Sequence, residues 1–188
     1  MTCPIEVLDL LREICKRPSI YDAPEISYND VEIGKITSLQ RTVYEKVTAY
    51  GRAETLPSRK ELLGCLYRHA ILIYLNRAFS NISTTSFLHS KLVRQGLALL
   101  QQLTCCESAW PLLILACEAY EEEQRLRLLD VLSDKGRELQ QRSNHIPLIR
   151  SMVTTLWNQN DLNIGSNVSY VRTLDAVVSS VPFLPLFA

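Results

Sequence analysis

The sequence holds six cysteines but no Cys-x2-Cys pair. Cys3, Cys15, Cys65, Cys105, Cys106 and Cys117 are too scattered to make a ligand knuckle, so a zinc finger or ribbon in this chain is excluded. Histidine is scarcer still. His69, His89 and His145 belong to no Glu-x-x-His or His-x-x-x-His motif, which removes a di-iron bundle and a zinc protease. Six scattered glycines form no phosphate-cradling loop, no paired-glycine dinucleotide turn and no Gly-x-Ser-x-Gly elbow. Net charge is also missing: twenty Lys and Arg balance twenty Asp and Glu. A neutral chain lacks the footprint for phosphate backbones or anionic lipid, so direct nucleic-acid contact is disfavoured. No apolar run approaches the ~20 residues that cross a bilayer. Glu6 and Asp9 interrupt the apolar start, which argues against a secretory signal. Without one, the cysteines are expected as reduced thiols, and the sequons at Asn81 and Asn167 carry little weight.

What is present is leucine-rich helical periodicity over 188 residues, the length of one domain. Val7, Leu10, Leu11 and Ile14 predict a first helix over 1–17, followed by a proline-containing loop over 18–28. A helical core is expected over 29–157, and a loop, a short helix and an apolar tail over 158–188. Within the core, Ile36, Leu39, Val43, Val47 and Tyr50 form one stripe. Ser58 and Glu61 have capping-box form and open a helix to about Phe79 that is apolar almost all round. The next helix, about Phe87 to Leu103, is expected to turn Leu88, Leu92, Leu99, Leu100 and Leu103 inward. Gly96 within it costs helix stability or admits a close neighbour.

Ser108 to Leu132 is the most distinctive stretch. Trp110-Pro111 opens an apolar run through Ala119, and Pro111 suits a first helical turn, where its missing N–H is not needed. A charged helix follows, with Glu121–Arg125 and Glu123–Arg127 at the favourable i, i+4 spacing. Glu121, Glu122 and Glu123 point about 100° apart, so they suit a helix dipole better than a metal ion. Ile149, Met152, Val153, Leu156 and Trp157 line a later helix, and Asn158 to Ser169 reads as a loop. No strand alternation and no repeat survive, so the expectation is all-α, an array of about seven or eight helices without a sheet.

Candidate chemistry is thin. Cys65 and Cys117 lie in apolar helices, where a thiol behaves as a small hydrophobe. His69 reads as a hydrogen-bonded boundary residue beside Arg68. Trp110, Trp157, Tyr67 and Tyr74 suit an apolar pocket or, better, plain core.

Three blocks together resemble the regulatory domain of fungal zinc-binuclear-cluster (Zn2Cys6) transcription factors. Leu62 to Arg77, LLGCLYRHAILIYLNR, is similar to the family's Tyr-Arg-x-Ala-x-x-Ile-Tyr-Leu-x-Arg helix. Trp110-Pro-Leu-Leu-Ile-Leu-Ala-Cys-Glu-Ala with the downstream Arg125 resembles its Trp-Pro-Leu block. The helix ending Leu156-Trp157 looks like its Val-Trp helix, and the opening IEVLDLLREI fits the start of the domain's C-terminal half. The chain departs from the family in lacking the two Cys-x2-Cys-x6-Cys halves and their basic stretch, and in holding Cys117 where glycine is favoured. It begins with Met1 inside what would be the middle of the regulatory domain.

The resemblance implies a nuclear regulatory module without catalysis, modulating transcription by helix packing against a partner subunit, another copy or the rest of its own domain. Zinc is expected only in the DNA-binding cluster that this chain does not carry, and no cofactor in the chain itself. No metal, DNA-contact or catalytic residue is transferred. The residues that carry the resemblance are Tyr67, Arg68, Tyr74, Arg77, Trp110, Pro111, Glu118, Arg125 and Trp157, all expected to be structural. The alternatives are a free-standing helical interaction module without DNA binding, and a domain that binds a small effector.

Overall fold

Ser58 and Glu61 cap the start of the helix that follows them, as the capping-box spacing predicts. The Ser58 amide donates to Glu61 Oε2 at 2.7 Å, and the Glu61 amide reaches Ser58 Oγ at 3.4 Å. In the computed structural model the described residues are 34, 37–38, 40–45, 57–78, 82–83, 85–103, 108–133, 145–162 and 170–179. The expected first helix over 1–17, the loop over 18–28 and the apolar tail lie outside them.

The architecture is all-α: among the described residues every regular element is a helix. The helices are α1 (Arg59–Ala78), α2 (Phe87–Gln102), α3 (Ala109–Cys117), α4 (Glu122–Val131), α5 (His145–Leu162) and α6 (Tyr170–Ser179). Residues 40–45 are helical as well, and Val43 from that segment enters the core. None of the described helices is long and apolar enough to cross a membrane.

α1 forms the centre because its apolar residues cover nearly its whole circumference. Leu62 through Tyr67, His69 through Ile73, Leu75 and Ala78 are all buried. It packs against α2, α3 and α6. α3 is the second buried rod, with Ala109 and Pro111 through Cys117 out of solvent, and it meets α5 as well as α1. Helices this apolar need neighbours on several sides, and the order of the chain supplies them. α5 and α6 cover one flank, while α4 lies against α2 and α3 with Leu128 as its buried anchor.

Gly96 lies where α2 meets α3. A Cβ at that position would come within 2.7 Å of Leu115 Cδ2, so the glycine permits the close approach. α4 begins with Glu121 as N-cap in a capping box with Gln124, and Glu122 and Glu123 fill its first turn. Ser108 occupies the N-cap of α3, but its side chain makes no capping bond.

Three expectations change. Leu88 is 63 % exposed rather than inward, because the face of α2 that it occupies borders an open cavity. The polar run after Trp157 is not loop from the start: α5 continues to Leu162. Its buried face of Ile149, Met152, Val153, Leu156 and Trp157 fixes the helix, and the following polar residues need only face outward. Arg125 does not pair with Glu121. It reaches across to Asp161 on α5, which a bidentate guanidinium holds better than a neighbour on its own helix. Glu123 and Arg127 do pair.

Candidate functional site

The chemistry of the core concentrates around one buried carboxylate. Glu118 caps the C-terminal end of α3 and is only 3 % exposed. Its Oε1 accepts from Arg77 Nε at 3.2 Å, and its Oε2 accepts from His89 Nε2 at 2.9 Å. α3 ends there, α1 delivers Arg77 from its last turn, and α2 delivers His89 from its first. The triad therefore ties three helices at one point. A carboxylate only accepts, so Nε2 of His89 carries the hydrogen. His89 Nδ1 is buried and has no hydrogen-bond partner among the described residues.

Arg77 has further contacts. It donates from Nη1 to the Ile82 carbonyl at 3.0 Å, which fixes the link between α1 and α2, and its guanidinium lies 5.3 Å from the Tyr170 ring centre. Tyr170 begins an aromatic ladder. It meets Tyr74 at 6.2 Å, Tyr74 meets Trp110 at 6.3 Å, and Trp110 stacks on Tyr67 at 6.2 Å with an interplanar angle of 8°. α6, α1 and α3 are joined along it. Burial pushes the Tyr170 hydroxyl well above its ordinary range, and the same cause acts on the Cys117 thiol. Cys117 is thus a packing residue, and an unreactive one at neutral pH.

A second junction joins α3, α4 and α5. The Trp157 indole donates to the Ala116 carbonyl at 2.9 Å, and Arg125 lies 5.4 Å from the Trp157 ring centre. Arg125 also donates to the Ala119 carbonyl at 3.1 Å and to both oxygens of Asp161, at 2.7 and 2.8 Å. These bonds keep the Asp161 carboxyl below its usual range.

The residues singled out from sequence fall into two groups. Tyr67, Tyr74, Arg77, Trp110 and Glu118 meet around the ladder and the triad, and Arg125 and Trp157 meet at the second junction. Pro111 is buried in the first turn of α3, and Arg68 is half-buried on α1, its Nε without a partner among the described residues. Tyr67, Tyr74 and Trp110 pack as the ladder, and Trp157 lies under Arg125 at the second junction.

His89, Asp161 and Tyr170 were missed as partners. His89 and Glu118 are 29 residues apart, and Arg125 and Asp161 are 36 apart. Neither spacing leaves a periodic signal. Tyr170 carried no signal beyond its place at the start of a short apolar pattern.

His69 is buried rather than at a boundary. Its Nδ1 donates to the Cys65 carbonyl at 2.9 Å, and burial above all lowers its pKa, favouring the neutral ring. It lines a cavity of about 790 Å³ between residues 37–44, α1 and α2. No sequence pattern marked that cavity. Among the described residues, no three His, Cys, Asp or Glu side chains converge in a way that could hold a metal ion.

Among the described residues the arrangement is an all-helical body held by a buried ion triad and an aromatic ladder. Residues 32–178 match the family described as "Fungal specific transcription factor domain". The chain belongs to that family, which places it in transcription regulation. It is 32% identical over 127 residues to a protein named "Transcription factor iacI" of the fungus Pestalotiopsis fici, an alignment that covers 67% of this chain and 32% of that protein. The chain thus spans about a third of the length of this curated relative. No solved structure matches it.

Proposed function

We propose that this chain is the regulatory and interaction module of a fungal transcription factor, modulating transcription by RNA polymerase II in the nucleus. It acts by presenting a fixed helical surface to a protein partner, to a second copy or to other parts of the same regulator. It neither catalyses a reaction nor contacts DNA directly, and it needs no cofactor of its own. Zinc belongs to the family's DNA-binding cluster. The observation that supports this reading most is the family match over residues 32–178. The core is consistent with it: the Glu118 triad spends its buried polar groups on joining three helices.

The test is to tether residues 1–188 to an unrelated DNA-binding domain in a fungal reporter strain. Reporter output should change at least threefold against the DNA-binding domain alone, in either direction. Glu118→Ala, which strands the half-buried Arg77, should cancel the change. Unaltered output from a well-expressed fusion, with no protein captured on the same module from nuclear extract, would overturn the reading. An alternative is a free-standing module that competes for a partner of longer relatives. Overexpressing the untethered chain would then lower the output of such a relative.

A further inference from the structure

The cavity beside α2 has a chemical character of its own. At about 790 Å³ it falls within the range of roughly 300–1,000 Å³ of small-molecule sites. Its walls come from the helical segment 40–45 and from the facing sides of α1 and α2. Leu72, Leu92 and Leu99 supply an apolar floor, and the lining as a whole is predominantly apolar. Neutral amides and hydroxyls make up most of the polar remainder. Among the described lining residues the fixed charges are of one sign: Arg41 and Lys91 line the cavity, and no Asp or Glu does.

Both cations are exposed, which puts them at the mouth. Arg41 has a contact with Glu45 at 3.5 Å, but both side chains are mostly in water. A pair so exposed is weak, and a ligand can take its place. An apolar interior under a cationic mouth selects for a molecule with an apolar body and one negative end. A cation would face like charge at Arg41 and Lys91, and a neutral molecule would gain nothing from the rim.

We propose that this cavity is a binding site for a small amphipathic organic anion, a carboxylic acid with an apolar body, whose carboxylate faces Arg41 and Lys91. The site couples the helical segment 40–45 to the central pair of helices. Val43 in the core and a Gln40 to Asn76 side-chain bond at 3.5 Å also hold that segment. A ligand filling the space adds contacts on both sides and stabilises the docked arrangement by an amount that grows with the logarithm of its concentration above Kd. This inference stands apart from the transcriptional reading, because binding by the purified chain is measured without any reporter.

The test uses three fluorescent probes with one body and different ends: pyrenebutyrate, pyrenebutanol and pyrenebutylamine, titrated into the full chain and followed also by thermal midpoint. Pyrenebutyrate should bind at least tenfold more tightly than the alcohol, with the amine weakest, and should raise the midpoint. The variant Arg41→Glu/Lys91→Glu should remove the preference for the acid while leaving the alcohol unchanged. Ala98→Trp places a large ring at an exposed position on the cavity wall. It should weaken all three probes at least tenfold while leaving helical circular dichroism intact. No binding of pyrenebutyrate, equal binding of the three probes, or binding that a folded Ala98→Trp variant retains in full would each overturn the proposal.

Discussion

The Trp157 indole of α5 donates to the Ala116 carbonyl of α3 at 2.9 Å, a bond between two elements 41 residues apart in sequence. Ala116 O also accepts from the Ala119 amide at 3.2 Å, so the indole adds a tertiary bond to a helix end that is already closed locally. With Arg125 over its ring, Trp157 joins α3, α4 and α5.

Trp157→Phe keeps a ring in the cleft and removes the N–H. The loss should be about 1–2 kcal/mol, one neutral hydrogen bond together with a weaker cation–π contact. Urea unfolding followed by circular dichroism measures it. A cost below about 0.3 kcal/mol would show that the bond contributes nothing net.

Glu118→Ala should be far more damaging. It leaves Arg77 largely buried without its acid and His89 without its acceptor. Removing one member of a buried ion pair costs about 3–5 kcal/mol, a large part of a stability that for most domains is roughly 5–15 kcal/mol. Replacing the whole triad by apolar residues, Arg77→Met with His89→Leu and Glu118→Leu, should recover most of that loss. If the triple variant is as unstable as Glu118→Ala, the triad contributes through packing rather than through charge.

His69 gives the fold an acid-sensitive group. Its pKa in the folded chain is lowered by burial first, with Arg68 acting in the same direction. The unfolded chain therefore binds a proton at higher pH than the folded one. Stability is complete above about pH 6.5 and falls as pH drops below that value, by at most about 1.4 kcal/mol per pH unit for one group. Urea midpoints measured from pH 7 to pH 5 should decline, and His69→Gln should flatten the slope. Asp161 and Glu61, whose carboxyls are held below their ordinary values, add their own loss only at more acid pH.

Gly96→Val should destabilise by about 2 kcal/mol, since its branches enter the space of Leu115 in a packed core. Gly96→Ala should be close to neutral. The gain in helix propensity, about 1 kcal/mol, offsets the shift required of one Leu115 methyl. Thermal melts of the two variants separate the effects. Equal costs would show that space at this contact does not decide the outcome.

The helices were legible from sequence wherever apolar residues recur with the helical period and a cap marks the start. α1 is the clearest case: Ser58 and Glu61 announce it, and its continuous apolar surface predicts its central place. Ser108 to Leu132 is similarly legible, down to the change from a buried rod to a half-wet helix. Legibility fails where a long-range polar contact decides. Arg125 has an acid four residues earlier, and local reasoning chooses it, but Asp161 offers both oxygens from another helix. The run Asn158 to Asp161 is polar enough to read as loop, yet the helix is fixed by what precedes it. Leu88 obeys the periodicity and is still exposed, because periodicity knows the direction of a side chain and not whether a neighbour fills the space in front of it. The cavity was unreadable for the same reason: it is a property of three elements and of none alone. The aromatic residues that carry the family resemblance were legible as important, but not as a ladder, since the order Tyr67, Trp110, Tyr74, Tyr170 does not follow the chain.

The Glu118 triad also bears on inheritance. Its three members come from segments far apart in the gene, and none is useful without the others. A substitution at position 89 to an apolar residue leaves a charge whose remaining partner must carry it alone, and recombination that imports α2 from a distant cousin does the same in one step. Positions 77, 89 and 118 should therefore change together across a lineage or stay fixed together. Descendants that have abandoned the charge should show apolar residues at all three.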